Sequence, residues 1–138
     1  MANIQRCRRM GKKMSWLKLK KIKSFLNLTY QDLIKTLEVA KEEGKNLENF
    51  MRHFFKNRAK YPSISQAGFE EVEKKYKELT RTSFIPTEDD ITFLAEESYR
   101  LMKEKEFTGA QLGANLVLKY DPDNPLALIT KRISELRE

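Results

Sequence analysis

The chain has 138 residues, enough for one domain that buries a core without staples. With 40% apolar and 34% charged residues it reads as globular, and five glycines and four prolines leave little room for a turn-rich β fold. The single cysteine, Cys7, excludes an intrachain disulfide framework and multi-cysteine metal sites, no window approaches the roughly 18 apolar residues of a membrane span, and a reducing, cytoplasmic compartment is the simplest fit.

The formal net charge of +7 is unevenly placed. Residues 1–31 hold nine Lys/Arg and no acid, residues 32–83 hold eleven bases against nine acids, and residues 84–138 hold seven against eleven. The basicity therefore belongs to an N-terminal arm, residues 1–23, ahead of a helical body over 24–138.

Residues 1–13, MANIQRCRRMGKK, show no apolar periodicity, which predicts a disordered leader. Met14 offers an alternative start, and a mitochondrial-type targeting sequence stays open, whereas a secretory signal lacks its apolar core. Residues 14–26, MSWLKLKKIKSFL, read as a basic amphipathic helix with Ser15 as cap and Leu19, Ile22 and Leu26 as its stripe. Lys18, Lys20, Lys21 and Lys23 crowd the rest and repel one another unless a polyanion neutralises them. DNA, RNA, an anionic membrane or an acidic partner would serve; the alternative is a solvated face on a helix docked to the body by its stripe.

Thr29 and Asp32 form a helix start signal, Leu33, Leu37 and Ala40 face one way, and Gly44 ends the helix. Asn46 caps the next, in which Leu47, Phe50, Met51, Phe54 and Phe55 make the strongest stripe of the chain and the expected centre of the core. Its outer side carries Arg52, His53, Lys56, Asn57, Arg58 and Lys60, with Tyr61 just after. Cations beside aromatics suit a single nucleic-acid strand; they also suit a solvated helix C-terminus, where the dipole favours positive charge. His53, the sole histidine, has no neighbouring ligand type and is no metal site.

Pro62 breaks the chain, and Ser63 or Ser65 caps a helix over 66–80 with Phe69, Val72, Tyr76 and Leu79 inward. Glu70 with Lys74 and Glu71 with Lys75 are spaced for i,i+4 pairs. Residues 81–87 form the longest connection and the candidate subdomain boundary. Thr87 and Asp90 then start a helix with Ile91, Leu94, Ala95, Ser98 and Leu101 inward, ending near Glu106.

Thr108 and Gln111 have capping-box spacing, and Leu112, Leu116 and Tyr120 form a stripe, although Gly113 stands where a better helix former is expected. Asp121-Pro122-Asp123-Asn124-Pro125 stops that helix, and Asn124-Pro125 starts another. In the last helix Leu126, Ile129, Ile133 and Leu136 predict the buried stripe, with Thr130, Lys131, Ser134 and Arg137 outward.

The TGAQL helix, the turn and the helix ending ITKRISELR resemble helices two and three of a winged helix-turn-helix domain, with residues 88–105 as the first of the trio. That resemblance implies DNA binding, with Leu126, Ala127, Thr130, Lys131 and Ser134 in or near the major groove. Phe107, Ala110, Val117 and the Asp121–Pro125 turn are also similar to the second half of a tetratricopeptide unit, present in one copy. Phe107–Leu112 is similar to a helix start in small helical subunits of CRISPR effector complexes. An ordinary helical hairpin accounts for the same residues.

No Gly-rich phosphate loop, G-x-S-x-G, H-E-x-x-H or EF-hand spacing is present, and Cys7 has no fixed base beside it. The expectation is a single all-α domain of about six helices with a basic arm, without enzymatic activity, cofactor or small-molecule substrate. Its function would be nucleic-acid binding, DNA or RNA, through Arg6, Arg8, Arg9, Lys12, Lys13, Lys18, Lys20, Lys21 and Lys23 of the arm. Arg52, Lys56, Arg58 and Lys60 would add contacts, and Thr130, Lys131, Ser134 and Arg137 would orient the polymer. The alternative is a helical adaptor subunit of a larger protein or ribonucleoprotein assembly; a membrane partner is not expected.

Overall fold

A computed structural model describes residues 28–137, so the leader, the 14–26 helix and all nine arm cations lie outside the described residues. Within that range the chain is all-helical, with six α-helices, one 3-10 turn and no strand. They are α1 (Tyr30–Glu42), α2 (Leu47–Lys56), the 3-10 turn Arg58–Lys60, α3 (Gln66–Thr80), α4 (Glu88–Lys103), α5 (Phe107–Tyr120) and α6 (Pro125–Arg137).

Side-chain caps place five of these starts, with Asn124 Oδ1 accepting from the Ala127 N–H at 3.0 Å to open α6. Thr29 and Asp32 close a capping box on α1, and Thr87 and Asp90 close one on α4. Asn46 accepts from Glu48 and Asn49 backbone N–H groups, and Ser65, not Ser63, caps α3 through the Gly68 N–H. α1 ends as expected at a left-handed Gly44 (φ 71°), whose N–H and that of Lys45 satisfy the Lys41 and Ala40 carbonyls.

The same closing device corrects the start of α5. Lys105 is left-handed (φ 69°), and Lys105 and Glu106 donate back to Met102 and Leu101. That leaves only Glu104, Lys105 and Glu106 between the helices, so α5 begins at Phe107 and Thr108 falls inside its first turn instead of capping it.

The stripe of α2 is the centre of the core: Leu47, Met51, Phe54 and Phe55 are buried, with Phe50 packed against them. α1 and α3 pack on each other and on α2; α4, α5 and α6 pack on one another, α2 also meets α4, and the 3-10 turn lies against α4 and α5. One apolar cluster runs from Leu28 to Ala127. Phe84, in the 81–87 connection, is part of it: its ring lies 5.8 Å from Phe55 and 6.1 Å from Tyr76. Lys75 turns from Glu71 to Glu38 of α1 (3.2 Å) and to Glu78 (3.6 Å), tying α3 to its neighbour.

The second half packs by small side chains. On α5 the buried residues include Gly109, Ala110, Gly113 and Ala114. A Cβ on Gly109 would run into the carbonyl oxygen of Ala59, and one on Gly113 into Ser98 Oγ, 2.9 Å from Ala59 Cβ. Gly113 is therefore a packing residue, and the helix propensity it forgoes is offset by the close approach it permits.

Opposite lies the main departure from expectation. α6 buries Ala127, Thr130 and Ser134, all fully covered, while Leu128 and Ile129 are each 47% and Leu136 75% exposed. Of the predicted stripe, Ile129 and Leu136 turn to solvent and Leu126 and Ile133 are half-buried, while the small side chains of Ala127, Thr130 and Ser134 take the covered side, where they let α6 approach its neighbours closely.

Gly109→Ala tests the close approach. Alanine gains about 1 kcal/mol of helix propensity, yet a methyl against a backbone carbonyl has nowhere to move. A net loss of about 1–3 kcal/mol in a denaturant melt is expected. An alanine variant more stable than wild type would contradict the seam.

Candidate functional site

Two surfaces carry the residues expected to bind, and they fare differently. The first is the outer side of α2 with the 3-10 turn. Arg52 donates through Nε to Asp90 Oδ2 at 2.9 Å and reaches Glu48 at 3.2 Å, with its guanidinium 5.3 Å over the Phe84 ring. Asp90 also accepts from the Thr87 backbone N–H at 2.9 Å, so one carboxylate caps α4 and ties it to α2. Burial pushes the Asp90 carboxyl up, but the Thr87 and Arg52 donors outweigh it and hold the group below its ordinary value.

Arg58, expected outside, is inside. The α-helical period breaks at Asn57, and the following 3-10 turn swings Arg58 into the core. Its guanidinium donates to the carbonyls of Tyr61 (3.1 Å) and Ile64 (2.7 Å) and stacks 4.9 Å over Phe69. Burial lowers its pKa to about 10, partly countered by Glu73. Arg58 is a staple for the 61–65 turn and is no longer a nucleic-acid candidate. Glu73 is raised by the same burial, and Lys119 at 3.7 Å opposes the shift.

Lys60 sits 3.7 Å from Glu97, which also holds Arg100 at 2.7 Å, so this cation too has an internal counter-charge. Lys56 lies 4.6 Å over the partly exposed Phe93 ring. Of the three expected cations that remain on this surface, only Lys56 has no carboxylate within ion-pair range among the described residues.

The second surface is α6. Thr130 and Ser134, expected to face a polymer, are buried in the seam, and Ala127 is buried with them. Their hydroxyls, like that of Ser98, are covered and have no hydrogen-bond partner among the described residues, so their size rather than their polarity suits the site. Lys131 is half-buried and Arg137 exposed, one to each side of the outward face.

That outward face is Pro125, Leu128, Ile129, Arg132, Glu135 and Leu136, all exposed. Sequence periodicity put Ile129 and Leu136 on the wrong side, expected burial for Leu126 and Ile133, which are half-buried, and did not single out Leu128. One signal pointed the other way: Ala127, Thr130 and Ser134 at i, i+3 and i+7 form a small-residue face of helical spacing.

Asp90→Asn measures how far the Arg52 bridge holds α2 to α4. A carboxylate with lowered pKa in the fold stabilises fully above its unfolded value, about 3.9, and that contribution fades as pH falls through the folded value. Asp90→Asn is expected to lose about 1–3 kcal/mol at pH 7, with the gap to wild type closing in melts near pH 3. A gap independent of pH would remove the carboxylate from the account.

No protein-family model matches the chain, and no curated protein and no solved structure matches it either.

Proposed function

We propose that this chain is a helical docking subunit that holds a protein neighbour through the outward face of α6. The observation behind this reading is the inversion of that helix, with its small residues in the seam and Leu128, Ile129 and Leu136 in solvent. A solvated helix ordinarily turns its large apolar residues inward, and contiguous exposed ones mark interaction sites. Among the expected cations of the body, Arg52 and Lys60 serve its own carboxylates and Arg58 is buried, which weighs against a broad phosphate-binding surface there.

The second reading keeps nucleic acid as a partner of the arm. It rests on one sequence fact, nine Lys/Arg and no acid in residues 1–31. Lys56, Lys131 and Arg137 would be the accessible contributions of the body. The two readings are compatible in one subunit that carries a polyanion at one end and a protein at the other.

One set of full-length proteins separates them: wild type, Ile129→Glu with Leu136→Glu, and Lys18, Lys20, Lys21 and Lys23→Gln. Each is matched by melting temperature, then crosslinked in an extract of the source cells and titrated with a mixed-sequence oligonucleotide at two salt concentrations. The α6 variant is expected to lose the neighbours that wild type captures while binding the oligonucleotide equally. The arm variant is expected to do the reverse, with wild-type affinity falling steeply as salt rises. Unchanged capture by the α6 variant overturns docking; unchanged oligonucleotide binding by the arm variant overturns the polyanion role.

A further inference from the structure

We propose that the occupant of the α6 face is a second copy of this chain, paired antiparallel about a two-fold axis near Ile133. The inference rests on α6 being a docking face and names its partner.

The face is apolar along Ile129, Ile133 and Leu136 and carries two charges of opposite sign, Arg132 and Glu135, with Lys131 and Arg137 at its edges. An opposite-sign pair favours a partner bearing the same pair in reverse order, and an isologous contact supplies that by symmetry.

Helical geometry decides whether the pair can meet. At 100° per residue, Ile129, Ile133 and Leu136 fall on one flank of the outward face, at the four-then-three spacing of a packing seam. Leu128, Arg132 and Glu135 fall on the other flank. In an antiparallel two-fold pair, like flanks meet, and residues whose numbers sum to a constant stand opposite. A centre at Ile133 brings Ile129 to within one residue of level with Leu136 of the second copy, and Arg132 to within one residue of its Glu135, each contact occurring twice. Parallel pairing would bring Arg132 level with Arg132 and lose that match.

α6 also has the room. It packs chiefly on α5 and α4 and leaves the opposite side to solvent over its 13 residues. A contact of that length is small, so association is expected to be weak and reversible.

Sedimentation equilibrium on the full chain tests this, from about 5 to about 500 µM. The average mass of wild type should rise from 16.3 kDa toward twice that value, and Leu136→Glu should stay at 16.3 kDa throughout. Arg132→Glu and Glu135→Arg should each raise the dissociation constant about tenfold or more, and the two together should restore wild-type association. That restoration separates reciprocal pairing from a loss of folding. A wild-type chain that remains monomeric overturns the second copy. If the α6 variant then still loses its crosslinked neighbours, docking survives with another protein as occupant; if it keeps them, both ideas fail. A monomer that cosediments with phosphatidylglycerol vesicles through Leu136 overturns the proposal in favour of a membrane surface. Association indifferent to all these substitutions places the contact elsewhere and also overturns it.

Discussion

The backbone of α5 lies against the carbonyl of Ala59 with no room for a side chain at Gly109. Gly113 and Ser98 continue the same seam, which joins α5 to α4 and to the 3-10 turn. α6 packs on α5 and α4 with Ala127, Thr130 and Ser134 on its covered side, and Leu128, Ile129 and Leu136 lie on the far side.

The first half obeys a different constraint. Its interior is aromatic and large: Phe55 meets both Phe84 and Tyr120 at 5.8 Å, bringing α2, the 81–87 connection and α5 together. Its surface cations are drawn to carboxylates on neighbouring helices, Arg52 to Asp90, Lys60 to Glu97 and Lys75 to Glu38. Exposed pairs of this kind contribute little each, but each of these three joins two segments distant in the chain. The buried Arg58 belongs to the same economy of form, closing a turn whose carbonyls would otherwise lack donors.

How much of this was legible depends on which force held each element. α2 could be read from its sequence because its stripe is uniformly large and apolar, and α1 and α4 because Thr–x–x–Asp boxes mark their starts. Arg58 was misread because a 3-10 turn interrupts the helical period one residue before it. The α5 start was misread because Lys105, a residue with no glycine-like freedom, takes the left-handed position that closes α4. α6 was misread because periodicity tells which residues share a face and not which face is covered. Ile129 and Leu136 of the expected buried stripe are exposed, whereas Leu126 and Ile133 of the same stripe are half-buried.

The orientation of α6 can be measured without knowing any partner. With Cys7 replaced by serine, Ser134→Cys and Leu136→Cys introduce single thiols two residues apart on opposite faces of one helix. Under native conditions the Leu136→Cys thiol should react with a maleimide near the rate of a free thiol. The Ser134→Cys thiol should be slowed by orders of magnitude and react only as the helix opens. A reversed order, with the position-134 thiol fast and the position-136 thiol protected, would contradict the inverted packing and the docking surface built on it.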